Sequence, residues 1–123
     1  MEAEAAPDGN ILGIPYAKNP HPMWIYDRET FAFLDVNDAA IKAYGFSRRE
    51  FLAMTIRDVR PVEDIPELLR KTQHPRPKGQ STGEKWRHIA RDGSVFPVMI
   101  TSWELTFRER PAELVLARRE DPE

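Results

Sequence analysis

Residues Val95 to Phe107 alternate along their whole length. Phe96, Val98, Ile100, Ser102 and Glu104 share one side of an extended chain. Val95, Met99, Thr101, Trp103 and Leu105 share the other. Successive side chains of a strand point to opposite faces, so this pattern reads as one long strand with a buried face and a freer face. The flanking residues supply its neighbours. Arg91-Asp92-Gly93-Ser94 contains an Asp-Gly step, a strong hairpin signal, and before it Glu84 to Ala90 places Trp86, His88 and Ala90 on one face. After it, Arg108 to Pro111 is a second turn and Ala112 to Arg119 a closing strand. The C-terminal part of the chain is therefore an antiparallel meander.

The first half differs. Residues 1–18 belong to a proline- and glycine-rich lead-in, expected to be flexible or extended, with a short turn around Ile11, Leu12 and Ile14 as an option. Met23 to Asp27 and Phe31 to Val36 suit two strands joined by the polar turn Arg28-Glu29-Thr30. Asn37 is a natural helix N-cap, followed by Ala39, Ala40, Ile41, Ala43 and Tyr44 at helical spacing, and Gly45 stops the helix. Ser47-Arg48-Arg49-Glu50 matches a capping box, with Phe51, Leu52 and Met54 behind it, and Thr55 caps a further turn through Ile56 and Val59. Pro61-Val62-Glu63-Asp64 opens another helical stretch with its acidic residues at the favourable end. Ile65, Leu68 and Leu69 form the apolar stripe of that stretch, and Pro66 has to sit in its first turn. Two strands, several short helices and three strands make an α+β domain: a five-stranded antiparallel sheet with short helices on one face. The domain is expected over residues 19–119, with residues 120–123 as a tail.

Composition removes several functional classes. The chain has 123 residues, a net charge of -2 and no cysteine. One core is expected from that length. The near-neutral charge gives no reason to expect nucleic-acid binding. No apolar run approaches the roughly 20 residues of a membrane span, and Met1 to Ala6 lacks the pattern of a secretion signal. A cytoplasmic domain without membrane contact is the expectation. Without cysteine there is no disulfide, thiolate metal site or cysteine nucleophile.

Five pieces of the chain, in order, resemble the PAS family of bacterial sensory-box domains. They are Asn19-Pro20-His21-Pro22-Met23-Trp24-Ile25-Tyr26-Asp27; Phe33-Leu34-Asp35-Val36-Asn37-Asp38-Ala39-Ala40 with Tyr44-Gly45-Phe46-Ser47-Arg48-Arg49-Glu50-Phe51-Leu52; Met54 to Asp64; Arg91-Asp92-Gly93-Ser94-Val95-Phe96-Pro97-Val98; and Pro111 to Ala117. The resemblance implies a PAS fold whose sheet and helices enclose a small cavity. Some members hold haem, flavin, another chromophore or a metabolite there, and others hold nothing. Such domains precede histidine kinases, cyclic-di-GMP enzymes and transcription regulators. One departure stands out. The family's usual Asp-Ile/Val-Thr ending, which anchors a signalling helix, corresponds here to Arg119-Glu120-Asp121. An output domain in the same parent chain is expected, and the relay junction is left open.

The cavity implied by the resemblance draws on the helical residues Tyr44, Met54, Ile65 and Leu69 and on the strand residues Trp86, His88, Val98 and Ile100. A small-molecule ligand there is one option, its identity unknown. Cysteine-linked flavin and hydroxycinnamoyl chemistry both need a cysteine and are excluded. Haem is not expected, because His74, the histidine nearest the cavity helix, falls in a proline-rich turn and reads as a solvated loop residue. His88 either faces the cavity and bonds a ligand or is an exposed sheet histidine, the plainer reading. His21, between two prolines, reads as surface. No histidines lie at metal-ligand spacing. Asp92-Gly93 is explained by the hairpin and Glu63-Asp64 by a helix start, so no catalytic constellation emerges.

The expected function is a non-catalytic sensory module, regulating a histidine kinase through ligand- or partner-dependent packing and dimerisation. The alternatives are a module of a cyclic-di-GMP synthase or phosphodiesterase, a ligand-free interaction domain, or a small haem or flavin protein. Thr101, Trp103 and Leu105 on the freer face are the expected homodimer or output surface.

Overall fold

The computed structural model describes residues 10–73, other than Leu12, and 81–120. His74 and Leu12 lie outside the described residues. Two short strands, β1 (Asn10–Ile11) and β2 (Ile14–Pro15), pair around Gly13, which takes φ +75°. A five-stranded sheet follows: β3 (Met23–Asp27), β4 (Phe33–Val36), β5 (Ser81–Ile89), β6 (Val95–Phe107) and β7 (Arg110–Arg119). Its order is β4-β3-β7-β6-β5, antiparallel throughout. Between β4 and β5 lie α1 (Asp38–Tyr44), α2 (Arg48–Leu52), two 3-10 turns at Ile56–Val59 and Val62–Asp64, and α3 (Ile65–Gln73). The α+β architecture expected from the pattern is the one observed, and β6 spans the alternating segment.

The helix ends follow from local chemistry. The Asn37 side chain accepts from the Ala40 amide, and Gly45 closes α1 in the left-handed region at φ +84°. Ser47 and Glu50 form the reciprocal capping box of α2, and Thr55 and Asp58 form another on the first 3-10 turn. Two strand boundaries differ from expectation. Phe31 is not in a strand: it sits at φ +68°, and β4 begins at Phe33. The turn between β6 and β7 is only Arg108-Glu109, both at positive φ, as tight hairpin turns require.

Asn37 does more than cap. Its carboxamide oxygen also accepts from the Met23 amide (3.0 Å), and its Nδ2 donates to the carbonyls of Tyr16 (2.8 Å) and His21 (3.1 Å). One buried side chain thus ties the lead-in, β3 and α1 together. The sheet packs on both faces. Inside, against the helices, are Trp24, Phe33, Tyr44, Phe51, Phe96 and Val98 among others. Outside, Ile11, Tyr16, Met23, Ile25, Leu105, Phe107, Ala112 and Leu114 form a second cluster. Among the described residues of the lead-in, Ile11 (1% exposed) and Tyr16 (4%) are packed into this outer cluster. The prolines of the lead-in spare it the ladder bonds of a main-sheet strand, while its apolar side chains still find area to bury.

Candidate functional site

A cavity of about 470 Å³ opens between the inner face of the sheet and the segment that runs from the first 3-10 turn to α3. Trp24, Phe31, Ile56, Leu68, Ile100 and Val115 give it apolar walls. Its polar lining comes from Tyr26 and Arg28 near β3, Arg60 after the first 3-10 turn, Ser102 on β6 and Glu113 on β7. Lys71 and Glu84 also belong to it and bond each other at 2.8 Å. Apolar walls meeting fixed polar groups are the makeup of a small-molecule site, and this lining is richer in charge than most.

The polar end is built by strand register. Glu113 is only 2% exposed. Its Oε2 accepts from the Tyr26 hydroxyl at 2.9 Å and its Oε1 from the Ser102 hydroxyl at 3.0 Å. Tyr26 pairs with Glu113 directly across β3 and β7, so the first bond follows from the ladder. Glu104 faces Glu113 across β6 and β7, an unfavourable like-charge pairing. The Arg28 guanidinium lies between them, 3.3 Å from Glu104 and 3.9 Å from Glu113.

Arg60 has different surroundings. Pro61 follows it and holds it extended, at φ -124° and ψ 144°. From there its guanidinium lies over the Trp86 ring, 4.1 Å from the centroid. Its Nε and Nη1 are buried and have no hydrogen-bond partner among the described residues. Burial lowers its pKa to about 10, against the opposing influence of Tyr26, Tyr44, Asp64 and Glu84, so the group is cationic at neutral pH. Asp64 is committed to Arg87 at 2.7 and 3.0 Å.

Beneath the cavity, His88 is fully buried. Its Nδ1 lies 2.6 Å from the Tyr44 hydroxyl, and its Nε2 has no partner among the described residues. Trp24 and Tyr44 flank its ring at 5.6 and 5.7 Å. Burial holds the imidazole well below its usual pKa, and the charge of Arg60 acts in the same direction. The plainer sequence reading, an exposed sheet histidine, is corrected here. The alternation of β5 placed His88 beside Trp86 on the inner side, and that side is covered by α1.

Of the eight residues expected at the cavity, Trp86 and Ile100 line it. Tyr44, His88 and Val98 are solid core behind it. Met54 packs at the margin of the same cluster. Ile65 and Leu69 are half-buried and stand away from the lining, where Leu68 from the same helix takes the inward place. Sequence reasoning missed Arg60, Glu113 and Tyr26. Alternation along β7 carried a signal for Glu113, which shares the side of Val115 and Ala117. On the outer face, Thr101 and Trp103 are half-buried, whereas Leu105 is 6% exposed beneath the lead-in cluster.

No family model matches the sequence. No curated protein matches it either. Solved structures do. The PAS domain of an HTR-like protein from Haloarcula marismortui aligns with a TM-score of 0.73 at 15% identity, covering 85% of each chain. A domain of a sensory box sensor histidine kinase/response regulator from Geobacter sulfurreducens aligns with a TM-score of 0.69 at 23% identity, over 84% of this chain and 86% of that one. The LOV protein of Rhodobacter sphaeroides aligns with a TM-score of 0.68 at 9% identity, over 85% of this chain and 61% of that one. At these identities the likeness establishes the fold, and the chain folds as a PAS domain. It carries no cysteine for a flavin adduct. No helix among the described residues is long and apolar enough to cross a membrane.

Proposed function

We propose that this chain is a non-catalytic sensory module of a signalling protein, and that a small molecule held in the cavity of about 470 Å³ is its signal. The observation that carries the reading is the cavity itself: apolar walls meeting a convergent set of buried polar groups, Tyr26, Ser102 and Glu113 at one end and Arg60 at the other. A filled-core interaction domain has no use for a cavity-lining cation such as Arg60, whose buried Nε and Nη1 lack a partner among the described residues. The fold supports a place in front of a histidine kinase, the output named for the Geobacter sulfurreducens neighbour. The module acts in the cytoplasm under this reading.

Ligand occupancy shifts an equilibrium only through differential affinity. The route outward runs through β6 and β7, since Ser102 and Glu113 in the cavity lie on the same strands as Trp103 and Leu114 on the outer face. The signal leaves through pairing of two copies or contact with the output domain at Thr101 and Trp103. Native mass spectrometry beside the denatured mass tests the ligand. A reproducible excess mass, lost on denaturation, is expected. No excess mass, together with no thermal shift across a metabolite library, would overturn the reading.

A further inference from the structure

The cavity's charges are not equally engaged. Arg28 lies between Glu104 and Glu113, Lys71 bonds Glu84, and Glu29 lies 2.9 Å from Arg110. Among the described residues, Arg60 is the lining cation whose buried Nε and Nη1 lack an acceptor. Burying such donors without partners is costly, and native proteins tolerate it mainly where something else completes the bond. Its position is also constrained: Pro61 fixes the backbone and Trp86 supports one face of the guanidinium.

We infer that the cavity takes a small monocarboxylate, whose acid group accepts hydrogen bonds from the partly buried Arg60 guanidinium while its apolar body lies against Ile56, Leu68, Ile100 and Val115. The inference rests on the sensory reading above and specifies its signal. A carboxylate suits the site because guanidinium–carboxylate bonds are charge-assisted and strong where water is excluded. A second acid group does not suit it. Glu29, Glu84 and Glu113 already contribute carboxyl groups to the lining, so dicarboxylates and phosphates meet like charge.

A water molecule also completes buried donors, so the decisive comparison is between an acid and its own amide. Titration calorimetry of the whole chain at pH 7 would use hexanoate and benzoate against hexanamide and benzamide. At least one acid is expected to bind tenfold or more tightly than its amide, with affinity falling as salt rises. Arg60→Met is expected to abolish the preference for the acid while melting no lower than the parent, because it removes a buried cation. Arg60→Lys keeps the charge and loses the planar donor set, so it is expected to weaken acid binding about tenfold. The acid–amide comparison on the unaltered chain stands even if a variant fails to fold. Equal binding of acids and amides, or an acid affinity unchanged in folded Arg60→Met, overturns the carboxylate. Absence of acid binding beside a native mass spectrum with a retained neutral molecule overturns it too, and leaves the sensory reading standing. Absence of acid, amide and any retained mass or library hit overturns both.

Discussion

The two faces of the sheet are sealed by different means. The inner face is covered by α1, α2, α3 and the 3-10 turns, and it buries Glu113, His88, Ser102 and much of Arg60 along with its aromatic rings. The outer face is covered by a hairpin of the lead-in and is apolar at its centre, with Ile11, Leu105, Phe107 and Leu114 in contact. Its polar bonds lie at the margin, where the Tyr16 hydroxyl donates to Asp35 at 2.6 Å and burial raises the tyrosine's pKa. Apolar burial is the cheaper way to hold a sheet together. Polar groups in the interior cost desolvation that must be offset by partners. The inner face carries most of these interior polar groups, while on the outer side the buried Asp27 carboxylate is met by Arg110 at 2.7 Å.

Adjacent residues of β7 break this comparison most sharply. Leu114 points outward and is fully buried, while Glu113 points inward. Leu114→Ala is expected to cost about 3–4 kcal/mol in urea unfolding, by loss of transfer energy and a cavity in the outer cluster, with ligand affinity unchanged. Glu113→Ala leaves the Tyr26 and Ser102 hydroxyls short of an acceptor and costs about 1–3 kcal/mol, but it alters binding of whatever occupies the cavity. If both variants change affinity alike, the division of labour between the faces is wrong.

Asn37 joins the two regions. Asn37→Ala removes four hydrogen bonds to three segments, the α1 cap among them. About 2–3 kcal/mol is expected from the cap and the stranded buried groups together. The amides of residues 10–23 should lose hydrogen-exchange protection before those of α2. Uniform loss across the chain would mean that the lead-in is not an outer layer with its own attachment.

Mildly acid pH, between 6.5 and 5, probes the inner face. His88 is neutral when folded, its pKa held down by burial and by Arg60. In the unfolded chain it takes a proton near pH 6.5. The unfolded state therefore binds more protons below that pH, and stability falls as pH drops, by up to about 1.4 kcal/mol per pH unit. Above it the contribution is flat. His88→Phe is expected to remove this slope between pH 6.5 and 5. Asp27 works in a lower window. Burial raises its pKa, but the Arg110 bond and the amides of Glu29 and Thr30 outweigh that and lower it overall. Its contribution is present above the unfolded value and is lost as pH falls through the folded one, so it does not confuse the His88 test.

What was legible in the sequence follows the range of the interaction involved. The caps at Asn37, Ser47 and Thr55 are local chemistry, and each was readable from a few neighbouring residues. The alternation of β6 was readable because a single long strand averages out exceptions such as Pro97. Arg60 was not readable, because a charged residue is solvated by default and only the arrangement of Trp86 and α3 around it removes the water. The packing of Ile11 and Tyr16 was not readable for a related reason: the prolines of the lead-in report what backbone it cannot form, and say nothing of what those side chains can bury. Of the expected lining residues, Trp86 and Ile100 face the cavity, while on α3 the inward place falls to Leu68 rather than the expected Leu69, since helix periodicity marks the apolar stripe of α3 but not which of its residues faces an opening.

The smallest expected effect on stability concerns the outer surface. Trp103 pairs with Leu114 across β6 and β7, and it is half-buried, packed against the outer cluster as Leu34 and Leu116 are elsewhere on it. A second copy docking on this face would bury the remaining aromatic surface, the kind of contact that carries most of an interface's energy. Trp103→Glu is expected to lower the dimer fraction in analytical ultracentrifugation while changing monomer stability by about 1 kcal/mol or less. Leu105→Glu supplies the contrast. Leu105 is buried under Ile11 and Tyr16, so a charge there should unfold the outer layer rather than separate two folded copies. A dimer fraction unchanged by Trp103→Glu would remove this face as the self-contact, and signal output would then have to leave by another edge of the sheet.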